Sequence, residues 1–208
     1  MRKVIGRLQV LTDLDAPGDA LAVVDAALAA GAPVIQVRAK ALTDRDLFAL
    51  AEAVVARCRV AGATSLIDDR VDIALAAGAD GVHLGDEDLP VDVARRLLGP
   101  GAVIGATARD IPAGQARVAE GADYLGVGPT YATSTKAGLP DPVGPIAVGA
   151  VAAAVTVPVI AIAGITLERV PELLTAGVHG IAVVGAVARA ADPGRATAAL
   201  LAAIEAGP

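Results

Sequence analysis

One pattern recurs along this chain and narrows what it can fold into: a helical stretch that stops at a glycine, followed within a few residues by a short apolar run. It reads ALAAGAPVIQV at 27–37, ALAAGADGVHL at 74–84, RVAEGADYLGV at 117–127 and LLTAGVHGIAV at 173–183, with a degenerate copy, RVAGATSLI, at 59–67. The glycines at 31, 62, 78, 121 and 177 can take the left-handed conformation that ends a helix, so each copy is a helix, a stop and a strand. Runs at 6–12, 102–107 and 158–163 complete eight strand candidates, near residues 8, 34, 65, 81, 103, 124, 159 and 181. Strands that alternate regularly with helices imply parallel β/α units with right-handed crossovers.

Eight such units in 208 residues predict a single (β/α)8 TIM-barrel domain over 1–208, somewhat shorter than the about 250 residues usual for that fold. An open doubly wound sheet is the alternative, but no G-x-G-x-x-G follows the first strand. In a barrel the functional rim lies at the carboxyl ends of the strands. The uncharged stretch 142–167 is long enough to span a membrane, yet prolines at 142, 145 and 158 cut it. VTVPVIAIAG within it is β-branched like a buried strand, and 149–154 is Ala-rich like a short helix. No membrane partner is expected. Nor is nucleic acid, since the net charge is -6 and the aromatics are only Phe48, Tyr124 and Tyr131. The lone Cys58 excludes an internal disulfide, and MRKVIGRLQVLTD lacks the apolar core of a signal peptide, so a cytoplasmic setting is expected. The sequence is compatible with a homo-oligomer and does not decide it.

The acids concentrate between 66 and 88. A strand ends in Asp68, Asp69 and Asp72, and the next ends in Asp86, Glu87 and Asp88. As parallel neighbours these strands would set two acid clusters at one point of the rim, a costly arrangement unless protons or a hard cation intervene. The alternative is that Asp68 or Asp69 caps the following helix and the later acids are solvated.

Other strand ends carry polar groups as well. In VIQVRAK the alternation sets Gln36, Arg38 and Lys40 on the face of Val34, into the barrel, where an anion or an ion pair with Asp68 or Asp13 would compensate Arg38. His83 lies inside strand four, as a hydrogen-bonded interior residue or a ligand contact, and no His/Cys cluster supports zinc. Thr107 and Arg109 end strand five. The aperiodic loop 128–145 has the character of a binding loop, and its Thr133, Ser134, Thr135 and Lys136 suit phosphate oxygens. Gly164, Val184 and Gly185, after strands seven and eight, lie where barrels often bind a phosphate.

The pieces QVRAK, DDRVDIALAAGADGVHLGDED, GVGPTYATSTKAG, AIAGI and GIAVVGA, in this order and spacing, resemble the thiamine phosphate synthase family over nearly the whole chain. The resemblance implies a magnesium-dependent (β/α)8 transferase that joins hydroxymethylpyrimidine diphosphate to thiazole phosphate, releasing diphosphate. By the same resemblance, Gln36 and His83 would contact the pyrimidine, and Arg38, Lys40, Thr107 and Lys136 would hold the diphosphate. Arg38, Lys40 and Lys136 would carry the catalytic charge. Asp69 and Asp88 would be the Mg2+ ligands, and Thr133, Thr135, Gly164, Val184 and Gly185 would line the thiazole phosphate site. Three positions depart from the family: Asp68, on the substrate side, stands for the usual Asn, Asp86 for Gln, and Arg109 for His. Rival readings are a thiazole tautomerase, a silent phospho-ligand-binding protein and a sugar-phosphate epimerase.

Overall fold

The computed structural model describes residues 5–133, 138 and 140–207. Strands β1 (Leu8–Leu11), β2 (Val34–Val37), β3 (Thr64–Asp68), β4 (Gly81–Leu84), β5 (Val103–Ala108), β6 (Tyr124–Val127), β7 (Val159–Ile162) and β8 (Gly180–Val183) pair in sequence order and close into a barrel. Every pairing is parallel, including the β1–β8 seam where Gln9 sits against Ala182. Helices α1 (Ala20–Ala29), α2 (Asp44–Ala61), α3 (Val71–Ala77), α4 (Val91–Leu98), α5 (Ile111–Ala119), α6 (Gly144–Ala154), α7 (Val170–Thr175), α8 (Gly185–Ala188) and α9 (Pro193–Ala206) cover it, with a 3-10 turn at Leu167–Arg169. The (β/α)8 expectation holds, and the strands fall within about two residues of where the repeat puts them.

Local chemistry sets the helix ends. The Thr43 side chain caps α2 by accepting from the Asp46 N–H, Asp44 and Asp46 complement the positive end of the helix dipole, and Arg59 complements the other end. Gly62 then closes the helix at φ 73°. One boundary differs from expectation: α6 begins at Gly144, ahead of the Ala-rich stretch, with Pro145 in its first turn. A first-turn proline loses no intrahelical hydrogen bond, so it opens this helix instead of cutting the chain there. No described helix is long and apolar enough to cross a membrane.

Strands covered on both faces must be apolar on both, and nearly every strand residue is buried. Outward residues such as Leu8, Val10, Ile35 and Val37 meet the helices in one large core. Inward residues make a second one inside the barrel: Leu11, Val34, Leu66, Val103, Tyr124, Ile160 and Ala182. Tyr124 is the bulkiest of the fully buried side chains, and a Cβ on Gly105 would lie 2.1 Å from its ring, so the glycine is what admits it. At the amino ends of the strands, Asp80 and Asp123, the same position in two copies of the repeat, accept from the backbone N–H groups of Ser65 and Ile104. These two copies thereby staple β4 to β3 and β6 to β5 at the amino ends of the strands, away from the rim at their carboxyl ends.

Candidate active site

The ends of β2, β3 and β4 form one connected network. Val34 belongs to the barrel interior, so Gln36 and Arg38 share its inward face as the alternation requires. Gln36 Nε2 donates to Asp68 Oδ1 at 2.8 Å, and Arg38 Nε lies 3.5 Å from Asp68 Oδ2. Arg38 therefore pairs with Asp68, whereas Asp13 pairs with Arg189 at 3.0 Å. Burial, reinforced by the neighbouring Asp69 charge, pushes the Asp68 carboxyl from 3.8 up to about 6, against the pull of Arg38, Lys40 and Gln36.

Past β3 the chain turns sharply. Asp69 adopts a left-handed φ of 63°, a conformation Asp tolerates better than most residues, and its N–H donates to the His83 carbonyl of β4 at 2.8 Å. Its carboxylate meets Lys40 Nζ at 2.7 Å and hydrogen-bonds to the Asp88 carboxyl, which also accepts from the Gly85 N–H at 2.6 Å. Burial raises the Asp88 pKa, and Asp69 raises it further. Burial opposes the Asp69 charge too, but its hydrogen bonds to Asp88 and Lys40 outweigh that and hold it below the ordinary carboxyl value. The two carboxyls are thus shifted in opposite directions, Asp69 downward and Asp88 upward, by the contact between them. Helix α3 has no side-chain cap, so neither Asp68 nor Asp69 is spent on capping it.

His83 is both interior and at the rim: its Nδ1 lies 2.9 Å from the Tyr124 hydroxyl and its Nε2 3.1 Å from Thr107 Oγ1. Gly126 leaves the space, since a Cβ there would come 2.8 Å from the imidazole Cε1. Gln36, Arg38, Lys40, Asp68, Asp69, Asp88, His83 and Thr107 are therefore brought together. Gly164, Val184 and Gly185 follow β7 and β8 on another arc of the rim. Ala163 and Gly164 both have positive φ, 76° and 65°, and a Cβ on Gly164 would meet the Ala132 carbonyl at 2.6 Å. Val184 precedes α8 and Gly185 opens it. Thr133 is half-buried, and Ser134, Thr135 and Lys136 lie outside the described residues.

The foot of this loop is pinned by groups that pattern reading did not single out. Tyr131 donates its hydroxyl to Glu172 at 2.7 Å under the Arg169 guanidinium, 4.1 Å from the ring centroid, and Arg169 also donates to the Gly164 carbonyl. Of the departures from the family pattern, Arg109 donates to the Asp141 carbonyl at 2.8 Å, and Asp86 pairs with Arg117 of α5 at 3.3 Å. Thr12, Tyr124 and Arg169 were likewise missed. A hydroxyl closing the first strand was the only signal for Thr12.

Two carboxylates within hydrogen-bond reach of each other, beside a solvent-open rim, suit a Mg2+, which takes one or two carboxylates and leaves its other positions to water and phosphate oxygens. Among the described residues no group of three or more His, Cys, Asp or Glu side chains could hold a metal ion.

A family model described as "Thiamine monophosphate synthase" matches residues 8–187. The chain is 51% identical over 203 residues to a thiamine-phosphate synthase of Salinispora arenicola, covering 96% of this chain and 98% of that one. It is 47% identical to one from Chlorobium luteolum, over 94% and 91% of the two chains. A solved thiamine phosphate pyrophosphorylase from Pyrococcus furiosus superposes with a TM-score of 0.88 at 36% identity, covering 96% of each chain. Solved barrels with other activities, such as a hexulose-6-phosphate synthase from Salmonella typhimurium at 18% identity and a TM-score of 0.73, share the fold alone.

Proposed function

The chain belongs to the thiamine monophosphate synthase family, and on that premise we propose how its rim makes thiamine phosphate from hydroxymethylpyrimidine diphosphate and thiazole phosphate. The thiazole nitrogen forms a bond to the pyrimidine methylene carbon, the bond from that carbon to the diphosphate oxygen breaks, and its electron pair leaves with the diphosphate. No side-chain nucleophile is required. What the protein must supply is positive charge where negative charge develops, and alignment of two bound substrates.

The observation that carries this reading is the run of alternating charges from β2 to β4: Arg38 against Asp68, then Lys40 against Asp69, which in turn meets Asp88. Such a run holds its cations at the rim, at the expense of burying the Asp68 charge, until a polyanion offers them other partners. In this reading Arg38 and Lys40 turn to the diphosphate oxygens, joined by Lys136 from the loop. Asp69 and Asp88 would hold a Mg2+. When bound, that ion adds positive charge to the leaving diphosphate. Gln36 and His83 position the pyrimidine, Thr107 joins the diphosphate contacts from its place beside His83 Nε2, and Thr133, Thr135, Gly164, Val184 and Gly185 receive the thiazole phosphate.

The test is direct. Purified protein mixed with both substrates and Mg2+ should release diphosphate and thiamine phosphate in equal amounts. Binding of both substrates with no product in Mg2+ would return the chain to the class of phospho-ligand binders. Rearrangement of a thiazole carboxylate phosphate alone would make it a tautomerase.

A further inference from the structure

We infer that Thr12 is a positioning residue for the diphosphate subsite, acting through the backbone of Arg38; the inference rests on the reading of Arg38 as a diphosphate ligand. Thr12 follows the last residue of β1 and is 4% exposed, buried well away from any solvent task. Its own N–H donates to the Gln36 carbonyl at 3.0 Å, continuing the β1–β2 pairing by one step. β2 ends at Val37, and there the two chains part. At that point the Thr12 side chain takes over: Oγ1 accepts from the Arg38 N–H at 2.8 Å and donates to the Arg38 carbonyl at 2.9 Å. A single hydroxyl thus satisfies both backbone polar groups of one residue, fixing the peptide planes on either side of the Arg38 Cα.

The Cα of Arg38 is the origin of a long side chain that is 25% exposed and whose Nε lies 3.5 Å from Asp68 Oδ2. Asp68 holds the side chain near its far end, and the backbone that Thr12 fixes sets where it starts and in which direction it leaves. Two residues later Lys40 reaches Asp69, so the same anchor also sets where Lys40 starts. Small misplacements of a charged hydrogen-bond donor carry a large penalty in a site that acts by electrostatic preorganisation. A buried hydroxyl with both its donor and its acceptor spent on Arg38 is better explained by that demand than by the strand, which already ends before it.

The test compares Thr12→Val, which keeps the shape and removes both hydrogen bonds, with Thr12→Ser, which keeps them. The readouts are inhibition by inorganic diphosphate in Mg2+ and the separate KM values for the two substrates. Thr12→Val should weaken diphosphate inhibition about tenfold, the scale of one misplaced charge-assisted hydrogen bond, and raise the KM for the pyrimidine diphosphate alike. The KM for thiazole phosphate should stay within about twofold, and Thr12→Ser should restore diphosphate inhibition. Wild-type diphosphate inhibition in a folded Thr12→Val protein overturns the inference, as does an equal loss toward both substrates. If Thr12→Val does not fold, Thr12→Cys, whose thiol bonds weakly, is held to the same criterion. Arg38→Ala separates the two levels: unchanged diphosphate inhibition there removes the reading of Arg38 itself, whereas a loss in Arg38→Ala with none in Thr12→Val removes only the role of Thr12.

Discussion

Replacing Asp68 by Asn should stabilise the metal-free protein at neutral pH, with a magnitude that follows from its surroundings. Asn resembles the protonated carboxylic acid: it can accept from Gln36 Nε2 as Asp68 does, and it carries no charge to desolvate. The Asp68 carboxyl is shifted from 3.8 to about 6 in the fold. Below 3.8 it is protonated whether the chain is folded or not, and it costs nothing. Between the two values the unfolded chain releases the proton while the folded one keeps it, so stability falls as pH rises. Above 6 the cost is complete, about two pK units or roughly 3 kcal/mol. Asp68→Asn should therefore match wild type near pH 3.5 and exceed it by up to about 3 kcal/mol at pH 7.5, which for a chain of this size is roughly 6–12 °C in Tm. Thermal melts of both proteins across that range, in excess chelator, measure the difference. Equal melting temperatures at pH 7.5, or a gap that narrows as pH rises, would refute the claim that burial dominates at Asp68. In the loaded enzyme the same substitution should retain catalysis, since Asn is usual at this position in the family, and should shift the Mg2+ titration to higher concentration.

Chelation should abolish turnover and added Mg2+ restore it, while Asp69→Ala and Asp88→Ala each raise the Mg2+ requirement in a folded protein; full activity in excess chelator, or unchanged titrations in both variants, counts against the metal assignment. Mg2+ binding should weaken on acidification because Asp88, whose pKa is raised, competes for a proton, which calorimetry in buffers of different ionisation enthalpy detects as proton release. Lys136→Ala should lower kcat about a hundredfold with thiazole phosphate binding kept, and wild-type turnover would exclude Lys136 from the leaving-group step. Gly126→Ala should push the His83 imidazole off Tyr124 or Thr107, costing about 1–3 kcal/mol in stability and raising the KM for the pyrimidine substrate; a melting temperature and KM equal to wild type would show that the ring has room to give.

What the sequence determined by itself is everything carried by neighbours along the chain. The glycine stops announced the helix ends because a left-handed φ is a property of single residues, and Gly62 and Gly78 indeed close α2 and α3. Strand alternation turned Gln36 and Arg38 inward because the period of two belongs to the backbone. The order of β3, α3 and β4 set Asp68 and Asp69 beside the strand end that leads to Asp88, because consecutive parallel β/α units place their strands side by side. Tertiary structure decided the partners. Thr12 meets Arg38 across 26 residues, Arg109 meets Asp141 across 32, and His83 meets Tyr124 across 41. Such pairs depend on the register of each strand against the next and on the tilt that closing the barrel imposes. Register and tilt are properties of the whole ring of strands, and no single stretch of the chain contains them.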